Sequence, residues 1–439
     1  MPLAICMRWL LVGATLTVAL VGSSVDASCL MNTSSGGVFA HPGLLHTAAD
    51  LAFINQQVSA GLEPWTSGFA MLANNSRSGV KWKPNAQSKV FRGFDGTNKE
   101  NYGSLYNDVA AAYALALRWH VMGDDVYADH AVTILNDWAR TMTAIGGTSD
   151  KFLASGIYGY QLANAAELLR MYKNWSATEF QAFVKMMLTV FYPMNHDFLV
   201  RHNGAKTDHY WANWDLANMA SMLAIGVLAD RADVFDEAVA YFADGAGNGA
   251  IRNAVWKIYP DGLGQVQESG RDQGHATLVV ALLGAFCQMA LSQQCDLFAY
   301  DDNRVLAGAE YVAKYNLGLE VNYTTYTNSD VTQAVIASQG RGTTVRPMWE
   351  LLYNHYVIKR GLSAPYITAW AKRVRPEGGG GNYGPNSGGF DQLGYGTLIP
   401  VASHATPVKK KKTKLCSVAA SAMLALWSFL RVSSNFELC

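Results

Sequence analysis

From about residue 41 onward the chain reads as one helix after another, and this succession constrains the fold more than any single motif. In LYNDVAAAYALALRWHVMG, residues Val109, Tyr113, Ala116, Leu117 and His120 recur at helical spacing, and Gly123 supplies a stop. DDVYADHAVTILNDWART follows, with Val126, Ala131, Ile134, Leu135 and Trp138 on one stripe. In SATEF, Ser176 and Glu179 stand at the spacing of a capping box. HYWANWDLANMASMLAIGVLADR, VFDEAVAYFADG, GHATLVVALLGAFCQMALS, VLAGAEYVAKYNLG, PMWELLYNHYVIKRG and APYITAWAKRV continue the series. Short, glycine-punctuated connections make consecutive helices antiparallel neighbours. Several helices carry apolar residues on more than one face, so they pack between neighbours, as in a double-layered ring of helical hairpins. Strand periodicity is nearly absent, and one large all-α domain is expected.

The ends of the chain read differently. MPLAICMRWLLVGATLTVALVGSSVDAS has Arg8, an apolar run from Trp9 to Val21 and a small-residue exit, the pattern of a secretory signal over residues 1–27. The catalytic domain is then expected over residues 28–400, in a secreted, extracellular glycoprotein. Asn32, Asn74, Asn174 and Asn322 each open an N-x-S/T triplet. Residues 401–439 form a Lys-rich and then apolar extension. Its run from Leu415 to Leu430 falls short of a bilayer core of roughly 30 Å, leaving weak membrane contact or a glycolipid-anchor signal as an expectation. Lys and Arg total 34 against 34 Asp and Glu, but five lysines lie in that extension, so the body is mildly acidic. No basic face marks a nucleic-acid partner. Cysteines are few, and Cys287 with Cys295 close a short loop that suits a disulfide. No dense Cys/His cluster points to a metal, and no cofactor is expected.

The segment QESGRDQGH, Gln267 to His275, gathers two carboxylates, a guanidinium, an imidazole and two carboxamides at the mouth of an apolar helix. Asp272 suits an N-cap there, and Glu268 a pairing with Arg271. An uncharged imidazole at position 275 is able to accept a proton. In HYWANWDLANMASM, a helical reading puts His209 and Asn213 on one face, beside Tyr210 and Trp211. KWKPNAQSKVFRGFDG places Lys81, Lys83 and Arg92 on a basic loop able to meet an anion. Together these groups fit removal of the proton beside a carboxylate and departure of the β-oxygen. The carboxylate must first be neutralised, by Asn213, Arg271, Gln267 or a protonated Glu268, before His209, Tyr210 or His275 can act as base or acid. Extracellular polymers of uronic acids match that chemistry.

The segments NDVAAAYALALRWHVMGDDVYADHAVTILNDWA, HYWANWDLANMASMLAIG, QVQESGRDQGHATL and EYVAKYNLG resemble the alginate-lyase domain superfamily of polysaccharide lyases, most closely the family 38 type and more distantly family 5. The resemblance covers about residues 41–396. It implies an (α/α) toroid, an incomplete double-layered helical barrel with substrate in a cleft or tunnel. It also implies metal-independent β-elimination of alginate, glucuronan or a related polyuronate. An anionic polysaccharide is the expected partner, and the chain is expected to be a monomer. Family 5 enzymes have an Asn-His pair shortly before Tyr-Trp, and an arginine followed by the catalytic tyrosine. This chain keeps Tyr210-Trp211 and Arg271, but His209 adjoins the tyrosine and His275 stands where a tyrosine is sought. His209, Tyr210, Arg271 and His275 are thus the candidate catalytic residues, and Asn213, Gln267, Glu268, Lys81, Lys83, Arg92 and Trp211 the candidate substrate-binding ones. Two other readings stay open at this point. A glycoside hydrolase would use a carboxylate pair drawn from Asp215, Asp261, Glu268 and Asp272, and a carbohydrate-binding protein would use none.

Overall fold

A computed structural model describes residue 29, residues 39–379 and residues 390–399. The expected signal peptide, the Asn32 triplet and the extension 401–439 lie outside the described residues. The helices are α1 (Ala48–Ser59), α2 (Trp65–Asn74), α3 (Gly103–Met122), α4 (Asp125–Thr141), α5 (Asp150–Leu169), α6 (Ala177–Met186) and α7 (Tyr192–Arg201). They continue as α8 (Ala212–Leu228), α9 (Ala232–Asp244), α10 (Ile251–Ala254), α11 (Gln273–Ser292), α12 (Tyr300–Asn316), α13 (Trp349–Tyr353) and α14 (Pro365–Val374). Their ends carry the expected signals. Gly123 closes α3 in the left-handed conformation at φ 70°, and the Ser176 hydroxyl accepts from the backbone N–H of Glu179.

Packing sorts the helices into two layers. α3 packs on α5, α5 on α8 and α8 on α11, while α4 lies against α3, α9 against α8 and α12 against α11. α8 is buried along its entire length and α5 from Phe152 to Leu169, whereas α4 and α9 bury one face only. A helix with neighbours on every side needs apolar residues all round, and this separates the inner layer from the outer in the sequence itself. Closeness within the inner layer depends on glycine: a Cβ on Gly156 of α5 would lie 2.7 Å from the carbonyl carbon of Ala217 on α8. The result is the expected all-α toroid. α11 is apolar and long enough to cross a membrane by composition, and it is a buried core helix here.

Three two-stranded pairs, which periodicity did not reveal, accompany the helices: β1 (Lys89–Arg92) with β2 (Ala144–Gly147), β3 (Val255–Ile258) with β4 (Gly264–Val266), and β5 (Tyr326–Thr327) with β6 (Thr332–Gln333). β1 and β2 run parallel with Arg92 opposite Gly147. Gly147 has φ 114°, and a Cβ there would sit 1.9 Å from the Arg92 carbonyl oxygen, so only glycine fits the pairing. The segment leading into β1 is fastened by Asp108 of α3, whose carboxylate accepts from Trp82 Nε1 (2.9 Å), Trp138 Nε1 (2.9 Å) and the Asn85 N–H (2.7 Å).

The expected Cys287–Cys295 disulfide is corrected. Cys295 pairs with Cys29, 266 residues away, and Cys287 is a buried free thiol. Cys287 sits within α11 facing the core, where burial raises its pKa well above the ordinary range.

Two buried histidines make stability acid-sensitive. Burial, with His120 nearby, lowers His46 to about 3, and burial, with Lys359 and Arg360, lowers His355 to about 3. Between those values and the ordinary 6.5 the unfolded chain binds more protons than the folded one. Stability is therefore whole above about pH 6.5 and is lost as pH falls, by about 2 kcal/mol per histidine at pH 5. His355 stacks on Phe298 at 3.9 Å, and neither of its ring nitrogens has a hydrogen-bond partner. His355→Phe should accordingly shrink the drop in urea midpoint between pH 7 and pH 5, and an undiminished drop contradicts this assignment.

Candidate active site

The polar segment after β4 serves the starts of two inner helices at once. Gln267 Oε1 accepts from the Ala212 N–H (3.1 Å), and Glu268 Oε1 accepts from the Asn213 N–H (2.9 Å) and Nδ2 (2.7 Å), so both side chains satisfy free donors in the first turn of α8. The second Glu268 oxygen takes Arg271 Nη1 at 2.9 Å. Asp272 then caps α11: its Oδ1 accepts from the His275 N–H (2.8 Å), and its Oδ2 lies 2.6 Å from His275 Nδ1. An aspartate at the cap and a histidine three residues on thereby become an Asp-His dyad, with Nδ1 committed and Nε2 left as the reactive nitrogen. Burial alone would raise the Asp272 carboxyl, yet the ring and backbone of His275, together with Arg271, hold it below the ordinary carboxylate range.

The dyad opens into a cavity of about 350 Å³, where Asn213, Leu153, Ile157 and Leu278 also contribute walls. Asn213, Leu153 and His275 each stand in the first turn or so of an inner helix. Three helix N-termini therefore converge on one space, and their dipoles favour an anion there. Arg271 neighbours a lining residue: its Nε is 3.9 Å from Asp272 Oδ2, and its guanidinium lies 4.8 Å over the Trp211 ring. The arrangement offers carboxamide and guanidinium donors for a carboxylate beside an imidazole able to accept a proton.

The remaining sequence candidates fall apart in instructive ways. Asn213, His275 and Arg92 line this cavity, whereas Arg271 and Trp211 stand outside its lining, stacked on each other beside Asp272. His209 does not belong to its lining: the chain turns before α8 begins, and the imidazole pairs with Asp330 at 2.8 Å on the surface. His209 and Asn213 thus do not share a helical face. Tyr210 is buried between Phe198 and Trp214, with its hydroxyl accepting from Asn203 Nδ2 at 2.9 Å, and it too stands outside the lining. Gln267 and Glu268 are fully buried and hold backbone and side-chain partners, so they position the site's walls without touching the cavity. Lys81 and Lys83 are exposed and outside the lining. Two charged lining residues escaped the sequence reading, Arg346 and Asp391, joined at 2.7 Å. Tyr160 and Gln161 of α5 hold this stretch in place by donating to the Asp391 and Phe390 carbonyls, 2.7 Å each.

A larger hollow of about 510 Å³ lies between α12 and α14, lined in part by Asp261, Glu310 and Lys314. Its buried carboxylate, Glu310, is occupied in accepting from the Tyr366 and Ile367 N–H groups at the start of α14, so the hollow offers no comparable chemistry. Among the described residues no group of three or more His, Cys, Asp or Glu side chains is arranged to hold a metal ion.

The family described as "Alginate lyase" matches residues 51–321 by its sequence profile. No curated protein matches the chain at a significant level. Among solved structures, alginate lyase A1-III from Sphingomonas species A1 is similar, at 16% identity and TM-score 0.50 over 72% of this chain and 88% of that one. A histidine-to-alanine variant of alginate lyase A1-III complexed with tetrasaccharide gives 14% identity and TM-score 0.53 over 72% and 86%. A tyrosine-to-phenylalanine variant complexed with tetrasaccharide gives 15% identity and TM-score 0.52 over 72% and 87%.

Proposed function

Since the chain belongs to the alginate lyase family and is a polysaccharide lyase, we propose that it cleaves a polyuronate by β-elimination in the cavity between α5, α8 and α11, with His275 as the proton-transfer group. The observation that carries this reading is the Asp272–His275 dyad facing Asn213 across a space ringed by helix N-termini. Relatives complexed with tetrasaccharide support an oligosaccharide as occupant.

The chemistry follows from the order in which charge appears. The hydrogen on C5 is weakly acidic while the neighbouring carboxylate is charged, so Asn213 Nδ2 and Arg271 first bind that carboxylate and prepare for the charge that moves onto it. Glu268 holds both donors and is a positioning residue. Neutral His275 then takes the C5 proton on Nε2, and Asp272 steadies the imidazolium. The bond from C4 to its oxygen breaks, the carbon–carbon double bond forms, and the proton goes to the departing oxygen.

Among the described residues lining the cavity, His275 is the one imidazole, able to accept a proton and to return it through the same nitrogen. A single group that serves first as base and then as acid must reach both the C5 hydrogen and the C4 oxygen from one side. Uronates with both on the same ring face, mannuronate and glucuronate, suit it; guluronate and galacturonate, with the two on opposite faces, do not. Absorbance of the unsaturated product across polymers of these four sugars tests this: turnover should favour the first pair, and equal or greater turnover on the second pair defeats the single-group assignment. The reading includes export and metal-independent chemistry. The Cys29–Cys295 disulfide supports an oxidising compartment.

A further inference from the structure

Arg92 enters the cavity from the end of β1, carried there by the parallel pairing with β2. Its guanidinium lies over the rings of Tyr102 at 5.1 Å and Tyr158 at 6.0 Å, and its buried Nη1 has no hydrogen-bond partner. Among the described residues no carboxylate stands within ion-pair distance of it. Arginine does not shed its charge, and a buried guanidinium hydrogen without an acceptor is costly. Arg346 on the same cavity is different: it is 3% exposed and locked by Asp391 Oδ2 (2.7 Å) and the Gly274 carbonyl (3.0 Å). Asp391 in turn is 2% exposed, and its other oxygen, Oδ1, is buried without a partner. One cavity thus holds an unsatisfied cationic donor and an unsatisfied anionic acceptor, neither of which the proposed elimination uses.

We propose that Arg92 and Asp391 form a second sugar subsite, in which Arg92 binds the carboxylate of a uronate next to the one being cleaved and Asp391 Oδ1 accepts from a ring hydroxyl of that same sugar. This rests on the polyuronate reading above and narrows it: the enzyme requires two adjacent acidic sugars. Arg346 fixes the Asp391 carboxylate through Oδ2 and leaves Oδ1 free. The tyrosine rings hold the Arg92 guanidinium on its flat faces, so that its edge is free for a carboxylate.

The test is calorimetric binding of a mannuronate tetrasaccharide, and of the same tetrasaccharide with its carboxylates reduced to alcohols, to His275→Ala protein with and without Arg92→Gln. Loss of a charged hydrogen-bond partner should weaken uronate binding about tenfold to a hundredfold and leave the reduced sugar's affinity unchanged. Arg92→Lys keeps the charge without the fork and should fall between the two; it also carries the test if the glutamine variant does not fold. Uronate binding undiminished by Arg92→Gln overturns the subsite, and so does an equal loss for both sugars, which would mark Arg92 as merely structural. Residual turnover in the His275→Ala background would count against His275 alone and leaves the binding ratio readable, so the two assignments fail separately.

Discussion

His275→Ala should lower polyuronate turnover by about 10³- to 10⁴-fold while leaving the helical fold and oligosaccharide binding intact. The size follows from asking one group to act twice, first taking the C5 proton and then returning it to the leaving oxygen. The ring is held by Asp272 at 2.6 Å, so its orientation and tautomer are set before substrate arrives. Asp272→Asn keeps the helix cap but replaces the anionic partner, and should cost about 10²-fold or more in turnover at little cost in stability. Added imidazole should restore part of the activity of the alanine variant. Turnover by His275→Ala within a few-fold of wild type would remove the residue from the chemistry.

Arg271→Ala is expected to damage both catalysis and stability, and the two losses should come apart. Loss of a donor to the substrate carboxylate should reduce turnover by about 10²- to 10³-fold. It also strips Glu268, whose side chain is fully buried, of the guanidinium 2.9 Å away. Breaking a buried pair from one side costs roughly 3–5 kcal/mol, and the low end applies here because Arg271 is partly exposed to solvent. Adding Glu268→Gln should recover much of the stability, since the uncompensated charge is gone, without recovering turnover. Full recovery of both in the double variant would make Arg271 a structural partner of Glu268 and nothing more. Thermal unfolding and initial rates on the same samples separate these outcomes.

The layered helical ring was legible because its cause is local. Apolar residues on every face of α5, α8 and α11 announce helices with no solvent side, and Gly123, Ser176 and Asp272 mark boundaries by their own backbone and capping chemistry. The Asp272–His275 relation was readable for the same reason, since a cap and the third residue of a helix are near each other in any such helix. What failed was long-range. His209 lies four residues before Asn213, which does line the site, but one turn of chain before α8 sends its ring to Asp330. Arg346 and Asp391 come to share a cavity with His275 only through the tertiary fold, and nothing in the residues beside them signals it. The Cys29–Cys295 pair spans 266 residues, and spacing favoured the nearer and wrong partner. Gln267 and Glu268 were read as groups for substrate, whereas they cap α8. Part of that polar density serves the fold, and the rest, Arg271 with Asp272 and His275, is left for a ligand.

The most direct test is the crystal structure of the His275→Ala protein with a mannuronate tetrasaccharide. The account predicts one uronate carboxylate within hydrogen-bond distance of Asn213 Nδ2 and Arg271, with its C5 hydrogen and C4 oxygen both turned toward the space vacated by the imidazole. A tetrasaccharide bound outside this cavity, or one whose C5 faces away from residue 275, would contradict it.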